Sequence, residues 1–190
     1  SKDGTTVEAF FVYPLDYREG QDYPTLLWLH GGPEAQFAHS YHAVAQLFAA
    51  NGYAVIMPNP RGSSGYGEAF AKGTVAAWGG KDVEDVLAAV DHGVEIGLVD
   101  GDRLGVGGWS YGGILTNYVI TQSTRFKAAS SGASLGLVPA NYGHDQYQLM
   151  YEFEFGLPWE ERERWAELSP FWKVENITTP TQWMGGALDW

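Results

Sequence analysis

Leu104-Gly105-Val106-Gly107-Gly108-Trp109-Ser110-Tyr111-Gly112-Gly113 is the stretch on which the fold turns. Leu104 to Gly107 reads as a short buried strand, and Tyr111 to Gln122 reads as a helix. Between them a serine sits in a G-x-S-x-G turn with a strand before it and a helix after it. A serine on a sharp strand-to-helix turn holds strained backbone angles, and small flanking residues let that turn pack closely. Its hydroxyl then projects above the sheet edge, while the next N–H points into the same space. The helix N-terminus adds partial positive charge where an oxyanion would form.

Outward from this turn, hydrophobic runs alternate with helical patterns, the mark of an α/β sheet covered on both faces. Val7 to Tyr13, Thr25 to Leu29, Ala54 to Met57, Phe126 to Ser130 and Thr181 to Met184 are the other strand candidates, with Pro58-Asn59-Pro60 closing the third. Tyr41 to Ala50 is a helix candidate stopped by Asn51-Gly52. Arg61-Gly62-Ser63-Ser64-Gly65-Tyr66-Gly67 is loop. The clearest amphipathic pattern is Val83, Val86, Leu87, Val90 and Val94, with Glu84, Asp85, Asp91 and Glu95 on other faces. There Asp82 reads as the N-cap and Asp85 as a weak capping-box partner. No repeat, low-complexity tract or linker interrupts the 190 residues, so 1–190 is one domain.

Composition narrows the function. Acidic residues outnumber basic ones 23 to 11, a net charge of −12 that argues against nucleic acid or anionic lipid as the main partner. The absence of cysteine excludes a disulfide scaffold and a thiolate metal site. No apolar run approaches the ~20 residues of a membrane span, and Ser1-Lys2-Asp3-Gly4 does not read as a signal peptide. A soluble protein is expected, with the cytoplasm favoured over periplasm or secretion. No cofactor is implied, since no G-x-x-x-x-G-K-[ST] or H-E-x-x-H motif occurs.

His30-Gly31-Gly32-Pro33, directly after the strand Leu26 to Leu29, is the second chemical signal. Two glycines there let backbone approach a substrate, and α/β-hydrolases place a second oxyanion donor at this point. A rival serine turn, Gly132-Ala133-Ser134-Leu135-Gly136, lacks a following amphipathic helix and reads as a chance match. A nucleophilic serine needs an acid and a base, in chain order Ser, acid, His. Asp189 lies just past the last strand candidate, but none of His30, His39, His42, His92 and His144 follows it. His144 would break the usual order, and His92 reads as surface. His39 and His42 have an i, i+3 spacing with no neighbouring acid, a poor metal site. Glu160 to Arg164 reads as a solvated helix face. Glu152 and Glu154 stand among Tyr151, Phe153 and Phe155, either as a plain amphipathic segment or as acids able to meet an amino group. Asn176-Ile177-Thr178 matches a glycosylation sequon by pattern alone.

Together these residues resemble the catalytic α/β-hydrolase domain of the prolyl oligopeptidase family, nearest its acylaminoacyl-peptidase and dipeptidyl-aminopeptidase branches. The matches run in order through Asp3-Gly4-Thr5, His30 to Pro33, Asn59 to Gly67, Asp82 to Asp85, Asp102 to Val106, Gly108 to Gly113, Ser169-Pro170 and Thr179-Pro180. The resemblance implies a mostly parallel, doubly wound sheet flanked by helices, incomplete at its C-terminus. It makes Ser110 the acylated nucleophile, the N–H groups of Gly32 and Tyr111 the oxyanion hole, and the Tyr111 ring a wall of the substrate pocket. Gly186-Ala187-Leu188-Asp189 matches the family's Gly-x-x-Asp, which makes Asp189 the triad acid, although Gly185 replaces a His common in relatives. The family's triad His comes a few tens of residues later and its N-terminal β-propeller comes earlier; neither is in this sequence.

The resemblance implies a serine peptidase acting on short peptides. A carboxylesterase on the same fold, or an inactive domain kept for binding, are the alternatives. Homo-oligomerisation stays open, and the 190-residue chain by itself is expected to be inactive or aggregation-prone.

Overall fold

A computed structural model describes residues 1–188; the expected triad acid, Asp189, lies outside the described residues with Trp190. In chain order the elements are β1 (Glu8–Val12), β2 (Tyr23–Leu29), α1 (Ala43–Ala50), β3 (Ala54–Asn59), the one-turn α2 (Glu68–Ala71), α3 (Lys81–Glu95), β4 (Val99–Trp109), α4 (Tyr111–Gln122), α5 (Val138–Tyr142), β5 (Phe126–Gly132) lying before α5, then α6 (Gln148–Phe155), α7 (Arg162–Glu167) and β6 (Thr181–Met184). The described strands form one sheet in the order β1-β3-β2-β4-β5-β6. Only the β1–β3 pair is antiparallel; the other pairs are parallel. The fold is an incomplete α/β-hydrolase domain, as the sequence implies.

The strand order locates the site. The chain runs from β2 outward to β3, then returns to place β4 on the other side of β2. Loops leaving the C-terminal ends of β2 and β4 therefore diverge, which opens a crevice at the point where the winding reverses. In register, Leu29 lies opposite Gly108. The His30 loop and the Ser110 turn thus emerge side by side.

Packing follows the apolar patterns, with two informative departures. Val83, Val86 and Val90 of α3 are buried against the sheet, whereas Val94, the last of the predicted stripe, is 39% exposed. Helix α4 is buried along Tyr111 to Thr121, so it shows no polar face. Strand β3 continues past Met57 through Pro58 to Asn59. Pro58 carries no N–H to donate, but its neighbour β1 is an antiparallel edge strand at that register, where a missing donor is tolerated. Strand β4 begins at Val99, five residues before the apolar run, because Val99 already pairs with Tyr23 of β2; the register shifts before Leu104, across a stretch where Arg103 meets Asp100 at 2.5 Å.

The expected cap of α3 is corrected. Its N-cap is Gly80, and Asp82 and Asp85 are fully buried on the inner side of the first turn. Hydrophobic spacing marked their neighbours correctly but not the partners, distant in sequence, that these carboxylates meet. Asp85 holds Arg61: its Oδ2 accepts from the Arg61 Nε and backbone N–H, each at 2.9 Å, and its Oδ1 from Nη2 at 2.6 Å. Arg61 Nη1 reaches Asp3 at 2.5 Å, which joins the N-terminal segment, the glycine loop and α3. Among the described residues no helix is long and apolar enough to cross a membrane.

Candidate active site

Ser110 is the N-cap of α4 and has φ 59° and ψ −125°, a conformation costly for a residue with a Cβ. Its N–H donates to Gly132 O at 3.0 Å, and its carbonyl accepts from Ile114 N–H at 3.0 Å. The side chain is left exposed above the crevice. Tyr111 is the first helical residue, so its N–H has no intrahelical acceptor. The glycines around the turn are set by distance rather than by backbone angle. A methyl group on Gly112 would lie 2.2 Å from Leu29 O, and one on Gly108 2.5 Å from the carbonyl of Gly112.

The β2 loop comes up against this serine. A methyl group on Gly31 would lie 3.3 Å from Ser110 Cβ and 3.8 Å from its Oγ. Gly32, at φ 126°, takes a conformation only glycine adopts readily and presents backbone to the same cleft. His30 braces the loop. Gly31 O can only accept, so His30 Nδ1, 2.7 Å away, carries the proton, and Nε2 faces Ser63 Oγ at 2.9 Å. Burial pushes the His30 pKa below its ordinary value, which favours this neutral form. Ser63 and Asn59, whose amide bonds both backbone groups of Phe37 (2.7 and 3.0 Å), fasten the loop from below.

Beneath the serine, the hydroxyl of Tyr111 donates to Asp82 Oδ2 at 2.5 Å. Asp82 also accepts from the N–H groups of Gly79 (3.1 Å) and Val83 (2.9 Å). Burial raises the Asp82 pKa against the pull of these bonds, and burial with Asp82 alongside raises the Tyr111 phenol further. The Tyr111 ring lies edge-on to Trp78, with centroids 5.0 Å apart. Trp78 in turn lies 4.8 Å from Phe155.

Gly32, Trp78, Ser110 and Tyr111 share one cleft of about 1030 Å³, closed on its far side by Ser134, Leu135 and the segment from Asn141 to Tyr151. The structure therefore brings Gly32, Ser110 and Tyr111 together; Asp189 lies outside the described residues. Ser134 reaches the cleft wall but opens no helix. Its Oγ is bonded to Ser131 Oγ (2.7 Å) and receives the Asn117 amide (3.2 Å). His144 lies on the same wall, whereas His92 is exposed and meets Glu95. His42 caps α1 by accepting from Ala45 N–H at 3.4 Å, and His39 packs on Phe10, so both of these histidines have structural partners. Among the described residues no group of three or more His, Asp or Glu is arranged to hold a metal.

The acids among aromatics on α6 divide. Glu152 accepts from the Tyr142 hydroxyl at 2.6 Å. Glu154 is buried with its Oε2 unpartnered, and burial raises its pKa, opposed by the Trp78 indole and Ala76 N–H groups that face it. A plain amphipathic reading fails here, because Glu154 is buried with Tyr151 and Phe155 against Trp165 while Leu149 (81%) and Phe153 (68%) are exposed. Glu160 and Glu161 do stay outside, but Arg164 turns inward to Phe155 O at 3.1 Å. Sequence reasoning missed Ser63, Trp78 and Asp82 as supports of the site.

Comparison with known proteins bears directly on this geometry. The family model for the prolyl oligopeptidase family matches residues 39–190. An uncharacterized peptidase of Bacillus subtilis is 36% identical over the whole chain, which covers 29% of that protein. Dipeptidyl-peptidase 5 of Aspergillus oryzae is 30% identical over 98% of the chain, which covers 27% of that protein. The solved acylaminoacyl peptidase of Pyrococcus horikoshii superposes with a TM-score of 0.87 at 29% identity, over 94% of this chain and 29% of that one. The chain thus spans less than a third of the length of these relatives, all of them peptidases. With family model, relatives and fold in agreement, the chain belongs to the prolyl oligopeptidase family.

Proposed function

We propose that the full-length protein carrying this chain is a serine peptidase that hydrolyses short peptides through an acyl-enzyme on Ser110. The observation that carries the reading is the backbone of Ser110, held at φ 59° between a strand and a helix with Gly31 against it. Such strain persists only where the surrounding structure holds it in place, and it concentrates at sites of function. Peptidase relatives of the same family support the choice of substrate.

In this reading Ser110 Oγ attacks the scissile carbonyl carbon while a histidine base takes the hydroxyl proton. The new oxyanion accepts hydrogen bonds from Gly32 N–H and Tyr111 N–H. The same histidine then protonates the leaving amine, and water repeats the sequence to release the acid. Asp189 is assigned to orient that histidine, which the family resemblance places after Asp189 in the chain. The Asp82–Tyr111 bond fixes the ring and main chain of the residue that donates to the oxyanion. With its rigid ring against Trp78, Tyr111 also borders the space for the residue before the scissile bond.

The test is fluorophosphonate labelling of the full-length protein alongside turnover of short peptide amides and matched esters. Label on Ser110 with amide cleavage is the expected result. Ester cleavage with no peptide amide cleaved would overturn the peptidase reading, and an unlabelled Ser110 would overturn the enzyme reading altogether.

A further inference from the structure

The cleft that holds Ser110 has a one-sided charge. Among the described residues that line it, Asp145 is the only carboxylate, and no lysine or arginine lines it at all. Among the described residues Asp145 makes no ion pair either, although Arg61, Arg103, Arg125 and Arg164 each find a carboxylate within 4.0 Å.

Asp145 is also held still. Its Oδ1 accepts from Tyr147 N–H at 2.8 Å, and its Oδ2 accepts the hydroxyl of Tyr151 at 2.5 Å. Tyr151 is 2% exposed and packs in the aromatic cluster with Phe155 and Trp165, so the anchor is itself fixed. Two donors leave lone pairs on a carboxylate unfilled, since its oxygens offer about four acceptor positions. Exposed aromatic side chains line the same cleft: Tyr147 is 51% exposed and Trp109 54%. A preorganised carboxylate with spare acceptor positions beside aromatic rings is suited to a cationic nitrogen, by charge-assisted hydrogen bonding and by cation–π attraction.

We propose that Asp145 is a specificity-determining residue that gives this site a preference for substrates bearing a positively charged nitrogen. This rests on the peptidase reading of Ser110. Two sources offer the same chemistry, a free peptide amino terminus and a lysine or arginine side chain, and matched substrates separate them.

The experiment uses the full-length protein and three fluorogenic amides that share a leaving group: Ala-Phe with a free amino terminus, acetyl-Ala-Phe, and acetyl-Lys-Phe. The readout is the ratio of kcat/KM for each cationic substrate to that for acetyl-Ala-Phe. A charge-assisted hydrogen bond to a held carboxylate predicts a ratio of about 10 to 100 for at least one of them. Which substrate carries the ratio identifies the source. Asp145→Asn keeps an oxygen to accept from Tyr147 N–H, turns the other position into an amide NH2 that can donate to the Tyr151 hydroxyl, and removes the charge. It is expected to bring the ratio to within about threefold of one, whereas Asp145→Glu retains much of it. His144→Gln, which removes the neighbouring imidazole, is expected to keep the ratio.

A wild-type ratio near one overturns the inference, as does a ratio that survives Asp145→Asn or collapses in His144→Gln. If no peptide is turned over, the peptidase reading fails separately. The charge preference is then read as the relative protection of Ser110 from fluorophosphonate by the amide of Ala-Phe and its acetylated form, with the same variants deciding it.

Discussion

Replacing Gly112 by alanine tests whether the site depends on direct backbone contact between α4 and β2. Gly112 has no positive φ, so alanine suits its helical conformation. What alanine cannot satisfy is distance. Its methyl carbon would lie 2.2 Å from Leu29 O, 2.7 Å from Leu29 C and 2.9 Å from His30 O. Unstrained contacts between carbon atoms lie at about 3.5–4.0 Å, so the overlap exceeds roughly 1 Å against backbone that has no rotamer to change. Overpacking that side chains can absorb costs about 1–3 kcal/mol. With main chain on both sides, Gly112→Ala is expected at or above the top of that range, about 3–5 kcal/mol, where single substitutions become exceptional.

Relief must come by moving α4, which carries Ser110 and Tyr111, or the end of β2, which leads to Gly32. Either movement separates Ser110 and Tyr111 from Gly32, the other proposed oxyanion donor, by about 1 Å, a displacement worth on the order of 10²-fold in rate. The assay compares thermal midpoint and the rate of fluorophosphonate labelling at Ser110 in three variants of the full-length protein. Gly132→Ala would meet Trp109 Cε3 at a similar 2.3 Å, but that side chain is 54% exposed and can swing aside. Gly136→Ala meets nothing within 4 Å. The expected order of damage is Gly112, then Gly132, then Gly136. A Gly112→Ala protein as stable as the Gly136 variant and labelled within twofold of wild type would refute the argument, as would a Gly132 variant worse than Gly112.

The remaining expectations follow from the same contacts. Ser110→Ala should abolish labelling and lower peptide turnover by about 10⁴-fold or more, while Ser110→Gly, free of the penalty at φ 59°, should melt above the alanine variant. Asp85→Ala leaves Arg61, 12% exposed at its side chain, without its bidentate partner, and should cost about 3–5 kcal/mol. Arg61→Lys should restore little, because an ammonium cannot span both oxygens. Glu154→Gln tests the buried carboxyl through pH. Its folded pKa is raised, so the folded state binds more protons than the unfolded one, and stability falls as pH rises from near 4.5 through the folded value. The glutamine variant should therefore melt higher than wild type at pH 7 and lose that advantage near pH 4; an advantage independent of pH would exclude titration of Glu154 as its cause.

Elements set by local rules were legible in the sequence. Tyr111–Gln122 and Thr181–Met184 coincide with their predicted bounds, since punctuating residues flank each: Ser110 and Ser123 the helix, Pro180 and Gly185 the strand. The Ser110 turn and the His30 loop were legible for the same reason, because their glycines sit close in sequence to the serine and the strand end they serve. Asp82 was not. Periodicity assigns a charged residue near a helix start to a cap or to solvent, since burying a carboxylate is unfavourable unless something distant compensates. Here the compensation is the hydroxyl of Tyr111, 29 residues away along the chain, and for Asp85 it is Arg61, 24 residues away.

That failure is informative about the site. Two of the polar contacts the sequence could not show join α3 or the 59–67 loop to a segment bearing Tyr111 or Gly32. Asp82 bonds the residue after Ser110, while Ser63 bonds the histidine that precedes Gly31. Hydrophobic burial alone would hold α3 and α4 on the sheet with freedom to slide by a fraction of an ångström, because it is non-directional. Directional bonds with buried partners remove that freedom at the two places where oxyanion donors are proposed. The residues hardest to read from the sequence are thus those that turn a packed crevice into one with fixed geometry, and Asp82→Asn, which keeps the shape and weakens the bond, should lower kcat more than it raises KM.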